Sequence, residues 1–145
     1  MLRTTTGWAL AAAAALVVGC GEDGEATRPA APAGEPIALA VRYADGAGRV
    51  RTGRLACAAT EQRATGALAG RAPAARLCAR ARAIAPLLTQ PPPARRACTQ
   101  VYGGPQTMRV RGRIDDHTVD RRFRRTNGCE IADFARVAGA LPLTG

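Results

Sequence analysis

Five cysteines constrain this 145-residue chain more than any other feature of its sequence. An odd number is unusual in an exported protein, where cysteines normally pair, so one of the five needs a separate explanation. Cys20 lies near the N-terminus, and the other four are Cys57, Cys78, Cys98 and Cys129. If Cys20 has a role of its own, the other four form an even set that can make two disulfides.

The N-terminal segment gives Cys20 that role. Arg3 supplies a positive charge, and residues 8–18 form an apolar run of about eleven residues, shorter than the about 20 that span a membrane but suited to a signal peptide. Residues 17–20, VVGC, are typical of the lipobox of a bacterial lipoprotein. We predict a lipoprotein signal peptide at residues 1–19 and lipidation of Cys20. The alternatives are an ordinary secreted protein with an incidental Cys20, or a buried helix.

Residues 20–36 contain no large aliphatic or aromatic side chain. Their glycines, prolines, alanines and acids cannot bury enough apolar surface to offset the entropy of ordering. We predict a disordered tether here, followed by one domain at 37–145. The expected location is the outer face of the cell membrane, held by the lipid, or the secreted fraction.

The predicted domain has few large side chains from which to build a core. Its aromatic residues are Tyr43, Tyr102, Phe123 and Phe134. A small domain with so thin a core usually needs covalent staples. In an oxidising compartment the four remaining cysteines supply two disulfides.

Local patterns predict strands around two short helices. Alternation of apolar with small or polar residues predicts strands at 37–43, 50–57, 108–114 and 119–125. Apolar residues at helical spacing predict a helix that opens at Pro73 and ends before the prolines at 91–93, and a second one after Cys129. Residues 66–70 are interpreted as a loop, and 115–117 as a hairpin turn. We therefore expect an α+β domain with a mainly antiparallel sheet.

All 21 basic residues are arginines, and the formal net charge is +10. Many of them fall between residues 109 and 125, so we expect a basic face near one hairpin. Such a face can meet anionic lipid headgroups or cell-wall polymer, or steer an acidic partner; the alternative is a solvated sheet face. Nucleic acid is disfavoured, because the chain is exported and no aromatic residues alternate with the arginines to stack on bases.

The sequence offers little for catalysis. His117 is the only histidine, and cysteines in disulfides cannot act as nucleophiles or zinc ligands. There is no glycine-rich phosphate loop and no nucleophile elbow. Turn chemistry and charge balance explain the acids Asp115, Asp116 and Asp120. We expect a protein that is not an enzyme and has no catalytic residue, metal or cofactor.

The segment from Cys98 to Pro105, CTQVYGGP, is the candidate for function. It is extended in character, held at its start by a disulfide and followed by Gly-Gly-Pro. Proteases bind substrates as extended strands, so a surface loop of this shape can enter an active site. If the loop is held rigid, it binds at a low ordering cost, is cleaved slowly and is easily religated.

The cysteine order, the Cys-x-x-Val-Tyr segment at 98–102 and the Asn-Gly-Cys-Glu segment at 127–130 resemble the Streptomyces subtilisin inhibitor family of serine protease inhibitors. The resemblance covers roughly residues 37–141. It implies disulfides Cys57–Cys78 and Cys98–Cys129, with a sheet of about five antiparallel strands and two helices.

The same resemblance implies a reactive bond between Gln100 and Val101. The other implied residues of the reactive loop are Cys98, Thr99, Tyr102 and Gly103. Asn127 matches an asparagine that braces this loop by hydrogen bonding. Well-known members of the family carry Pro at the position of Thr99 and Met, Lys or Arg at that of Gln100.

The implied function is that of a substrate-like inhibitor of subtilisin-type serine endopeptidases, tethered to the membrane by a lipid. The implied partners are a subtilisin-like serine protease and the membrane. The alternative is a non-inhibitory cell-envelope interaction module on the same scaffold, using the arginine-rich face. The family also implies a homodimer formed through the sheet, which arginine-rich strands would oppose.

Overall fold

The computed structural model describes residues 36–144 as an antiparallel sheet with helices on one face. The predicted signal peptide, the lipidation of Cys20 and all of the predicted tether except Pro36 lie outside the described residues. Within residues 36–144, no helix is long and apolar enough to cross a membrane.

Five strands and three helices follow one another along residues 36–144. They are β1 (Ile37–Ala44), β2 (Val50–Cys57), β3 (Gln62–Gly66), α1 (Ala74–Ala83), α2 (Ala85–Thr89), β4 (Thr107–Ile114), β5 (His117–Phe123) and α3 (Gly128–Ala140). The sheet order is β3-β2-β1-β4-β5, and every neighbouring pair is antiparallel. This arrangement confirms the predicted α+β class.

The strands differ from the predicted pattern in three places, one of which is the end of β5, at Phe123 instead of residue 125. β3 was not predicted, because its sequence QRATG has no large apolar residue and only Ala64 is half-buried. It is an edge strand that forms by pairing with β2. The hairpin turn is shorter than predicted: Asp115 and Asp116 make it, with Asp115 at φ 56°, and His117 already belongs to β5.

The predicted helix after Pro73 is divided into two. Pro73 precedes the first helical residue, which is a position that tolerates proline. α1 ends at Ala83, the backbone of Ile84 leaves the helical region, and α2 begins directly afterwards at Ala85 with Pro86 in its first turn. Pro86 therefore opens a new helix, because its missing N–H is not needed there.

The core lies between the sheet and the helices. Alternate residues of β1 (Ile37, Leu39, Val41) are at most 3 % exposed and belong to the same buried cluster as Leu77 of α1 and Val137 of α3. Two aromatic residues are buried in this core, Phe123 and Phe134. The C-terminal Leu141 and Leu143 are completely buried, so the tail after α3 belongs to the core.

Two disulfides join distant parts of residues 36–144, with the pairing that the resemblance implied. Cys57–Cys78 ties β2 to α1 across 21 residues, and Cys98–Cys129 ties the segment before β4 to α3 across 31 residues. In the chain-entropy picture, loops of these lengths stabilise the fold by about 3–4 kcal/mol each. The first bridge is buried in the core, whereas the second lies near the surface and holds an irregular segment.

Candidate reactive loop

Residues 90–106 connect α2 to β4 without forming a helix or a strand. Loops of this length in compact domains are usually functional or disordered. Near the middle of this connection stand Val101 and Tyr102, which are 57 % and 65 % exposed. Thr99 and Gln100 are exposed as well. Adjacent exposed apolar side chains on an irregular segment indicate a contact surface.

Three links hold this segment on either side of the Gln100–Val101 bond. Before the bond, Cys98 is bonded to Cys129, and the Gly128 N–H donates to the Thr99 carbonyl at 2.9 Å. After the bond, the Gly103 N–H donates to the Arg125 carbonyl at 2.7 Å. The polypeptide between Thr99 and Gly103 is thereby held at both ends while its side chains face solvent.

Two glycines allow the loop to approach α3 this closely. A Cβ on Gly128 would lie 2.2 Å from Thr99 Oγ1, and one on Gly103 would lie 2.8 Å from Ile131 Cδ1. Neither glycine has a positive φ, and a Cβ at either position would require the neighbouring Thr99 or Ile131 side chain to move. Both contacts join residues that are distant in sequence, and no local sequence pattern predicts them.

An ion pair fixes the chain just before the disulfide. Arg96 Nη1 lies 2.6 Å from Asp133 Oδ2 on α3, and Arg96 Nη2 donates to the Cys129 carbonyl at 3.4 Å. The Asp133 side chain is only 14 % exposed, which limits screening by solvent. The hydrogen bond to Asp133 raises the pKa of the Arg96 guanidinium above its ordinary value.

A second arginine supports the chain after the reactive segment. Arg125 Nη1 donates to Gln106 Oε1 at 2.7 Å, and its guanidinium lies 5.7 Å from the centroid of the Phe134 ring. The carbonyl of the same residue accepts from Gly103. Arg125 therefore joins the loop, the start of β4 and the core through one residue.

Asn127 fixes the helix that receives the loop. Its Oδ1 accepts the Glu130 N–H at 3.0 Å and caps α3, while the Glu130 carboxylate contacts the Thr126 hydroxyl and main-chain N–H. This arrangement is similar to a capping box, except that Glu130 accepts from the N–H of Thr126, one residue before the N-cap residue Asn127. It sets the start of α3, and with it the Gly128 N–H that binds Thr99. A direct hydrogen bond from the Asn127 side chain to the loop stays a prediction.

Gln100 is the predicted residue for a protease's specificity pocket. Its side chain is exposed, and its Nε2 makes one long contact, 3.4 Å, with the Cys98 carbonyl. So weak a contact leaves the side chain able to reorient into a partner. The structure thus brings the predicted loop residues Cys98, Thr99, Gln100, Val101 and Tyr102 onto one exposed segment.

Asp116, Asp120 and His117, which do not belong to the predicted reactive loop, each pair with a neighbouring side chain. Arg109 donates two hydrogen bonds of 2.7 Å to Asp120, which lowers the pKa of that carboxyl group to about 2. His117 Nδ1 lies 2.6 Å from Asp116, and both side chains are well exposed. Residues 36–144 hold no group of three or more His, Cys, Asp or Glu side chains placed to bind a metal ion.

Comparison with known proteins adds no relative: no protein-family model matches the chain, and no curated protein matches its sequence. The resemblance to the Streptomyces subtilisin inhibitor family therefore stays a prediction.

Proposed function

We propose that this chain is a substrate-like inhibitor of subtilisin-type serine endopeptidases, and that the Gln100–Val101 bond occupies the catalytic centre of the enzyme. The observation that carries the proposal is the anchoring of an exposed segment on both sides of one peptide bond. The anchors are the Cys98–Cys129 disulfide, the Thr99–Gly128 hydrogen bond and the Gly103–Arg125 hydrogen bond.

These anchors favour inhibition over turnover. If the enzyme cuts after Gln100, the new carboxyl end stays attached to α3 through Cys98 and Thr99. The new amino end stays attached through Gly103 and through β4. Neither end diffuses away, so the amine remains at a high effective concentration next to the acyl-enzyme and religation competes with hydrolysis.

The exposed side chains supply the binding energy. Val101 and Tyr102 are more than half exposed in the free chain and would lose that exposure in a protease cleft. Buried aromatic anchors commonly dominate such interfaces. Because the segment is already anchored at Thr99 and Gly103, little ordering entropy is lost on binding.

Gln100 indicates the class of target enzyme. A trypsin-like specificity pocket holds a buried carboxylate that selects lysine or arginine, and glutamine leaves that charge unpaired. A broad, neutral pocket accepts a glutamine side chain more readily. The proposal therefore names subtilisin-type enzymes, with attachment through a lipid at Cys20 placing the inhibitor at the membrane surface. The two disulfides of the described domain agree with an oxidising, exported environment.

The test is titration of the purified exported chain against subtilisin and against trypsin, with intact mass followed in parallel. We expect tight, stoichiometric inhibition of subtilisin, weak inhibition of trypsin and slow cleavage at Gln100–Val101 alone. Rapid cleavage without inhibition would overturn the proposal, as would inhibition with a cut elsewhere.

A further inference from the structure

The solvent-facing side of the sheet is dominated by arginines. In the register of residues 36–144, the strands turn seven of them to this side: Arg42, Arg54, Arg63, Arg109, Arg111, Arg113 and Arg122. Among the residues of the five strands on this side, Asp120 is the one carboxylate. We call these seven residues the arginine face. It extends well beyond the hairpin at which the sequence pointed to basic charge.

Part of the arginine face is electrostatically unfavourable for the isolated fold. Arg42, Arg109 and Arg122 lie directly opposite one another on β1, β4 and β5. Neighbouring strands are about 4.8 Å apart, and like charges placed directly opposite destabilise a sheet. Asp120 pairs with Arg109 at 2.7 Å, whereas no ion pair holds Arg42 or Arg122 within residues 36–144. Unfavourable local arrangements of this kind, here like charges placed opposite one another, are expected mainly at functional sites.

Small residues form a shallow channel between the arginines. Ala40 lies opposite Arg54 on β2 and opposite Arg111 on β4. Two residues from Ala40 along β1, a row across β3, β2, β1 and β4 reads Arg63, Ala56, Ala38 and Arg113, so that two adjacent alanines lie between two arginines. The flanking arginines are thus two to three strand spacings apart, about 10–15 Å. Two adjoining depressions of about 360 and 450 Å³ occupy this floor.

We propose that the arginine face binds a linear phosphate polymer without bases, such as a phosphodiester chain outside the membrane, laid along the alanine-floored channel. Guanidinium groups match phosphate oxygens with two parallel hydrogen bonds. Arg109, Arg111 and Arg113 recur at every second residue of β4, about 6.8 Å apart, which suits a partner with regularly repeated charges.

Two other anionic partners fit this face less well. A nucleic acid would need aromatic side chains for base stacking, and Tyr43 and Phe123 of the strands point into the core instead. A bilayer is flat and would not reach the recessed alanines. Val50, the first residue of β2, is the one large exposed hydrophobic residue that the strands of residues 36–144 carry on this side.

The experiment is calorimetric titration of the exported chain with long-chain inorganic polyphosphate. The test variant is Arg42→Gln/Arg54→Gln/Arg113→Gln. The matched control removes three exposed helix arginines, Arg76→Gln/Arg80→Gln/Arg136→Gln. Each variant removes three positive charges and so lowers the formal net charge from +10 to +7. An equal effect of the two variants would mean that net charge alone attracts the polymer, and the proposal would be wrong.

We expect the sheet variant to lose at least about tenfold in affinity. The slope of log K against log salt should become shallower by about 2, because each phosphate contact contributes about 0.7 on a single strand. The helix control should change neither quantity by comparable amounts. Far-ultraviolet circular dichroism and thermal midpoints establish that both variants remain folded.

A gain-of-binding variant covers the case in which the sheet variant folds poorly. Asp120→Asn removes the carboxylate that competes for Arg109 and Arg111, so polyphosphate should bind several-fold more tightly. Anionic phospholipid vesicles and single-stranded DNA are titrated in parallel. Tighter binding of either than of polyphosphate, or no gain from Asp120→Asn, would contradict the proposal. Because the loop is not involved, these outcomes are independent of protease inhibition.

Discussion

If the chain is the proposed inhibitor, removal of the Cys98–Cys129 disulfide should convert it into a substrate. The bridge closes 31 residues, and the chain-entropy relation assigns it about 3.7 kcal/mol. Both cysteines are near the surface, so Cys98→Ser/Cys129→Ser leaves no large cavity. The two main-chain hydrogen bonds, from Gly128 to Thr99 and from Gly103 to Arg125, and the Arg96–Asp133 ion pair would then hold the loop without a covalent link.

The expected increase in the cleavage rate depends on how much of the lost stabilisation appears as easier opening of the loop. If all of about 3.7 kcal/mol appears as easier opening of the loop, the open population rises by up to about 500-fold at 1.36 kcal/mol per tenfold. Cleavage by a protease tracks that population when opening is fast relative to the cut. We therefore expect cleavage after Gln100 to accelerate by at least about tenfold and inhibition to become transient.

The matched control removes the other bridge, as Cys57→Ala/Cys78→Ala. That bridge closes 21 residues and lies in the core, so global stability falls by a similar or larger amount, about 3 kcal/mol or more. The anchors of the loop are untouched. Urea unfolding gives the stability of each variant, and mass spectrometry gives the rate of the cut. If both variants at matched stability are cut equally fast, the anchoring argument is wrong.

Two further predictions concern single side chains. Gln100→Lys should shift inhibition from subtilisin toward trypsin by about tenfold or more, because the lysine pairs with the buried carboxylate of the trypsin pocket. The control Gln90→Lys, at another exposed glutamine, should leave both titrations unchanged. An unaltered inhibition profile for Gln100→Lys would show that this residue does not enter the pocket. Asp120 should titrate at about 2 by carbon-13 NMR, and Arg109→Gln should raise that midpoint. The pKa of Asp120 in the folded chain lies below the ordinary 3.8. The stability that the Asp120–Arg109 pair contributes is therefore present above pH about 3.8 and is lost as the pH falls through about 2. A titration midpoint of Asp120 near 4 would contradict the pairing.

The sequence predicts elements whose own side chains decide their structure. β1 alternates buried and exposed residues because one face of it packs on the core, and α3 carries Phe134 and Val137 at helical spacing. β3 lacks such a signal, because its residues are mostly exposed on both sides and its pairing with β2 positions it. The break at Ile84 was not predicted, because apolar residues continue at helical spacing on both sides of it.

The loop could be located from sequence, but the means by which it is held could not. Cys98 and Tyr102 identify an extended segment next to a cysteine, which is local information. The contacts of Thr99 with Gly128 and of Gly103 with Ile131 each join residues about 28 positions apart, and a glycine next to a cysteine does not reveal its neighbour. The arginine face has the same origin, because only the sheet order brings Arg42 beside Arg109.

The anchoring of the loop separates its rigidity from its specificity. The two hydrogen bonds use main-chain groups of Thr99, Gly103, Arg125 and Gly128, and the third link is the disulfide. None of the three involves the side chain of Gln100, so the residue that a protease pocket reads can change while the backbone stays in place. The arginine face is formed by other residues on the far side of the sheet. If both proposals hold, substitutions at Gln100 should alter the choice of protease without changing polymer binding, and substitutions in the arginine face should do the reverse, since each function depends on side chains that the other does not use.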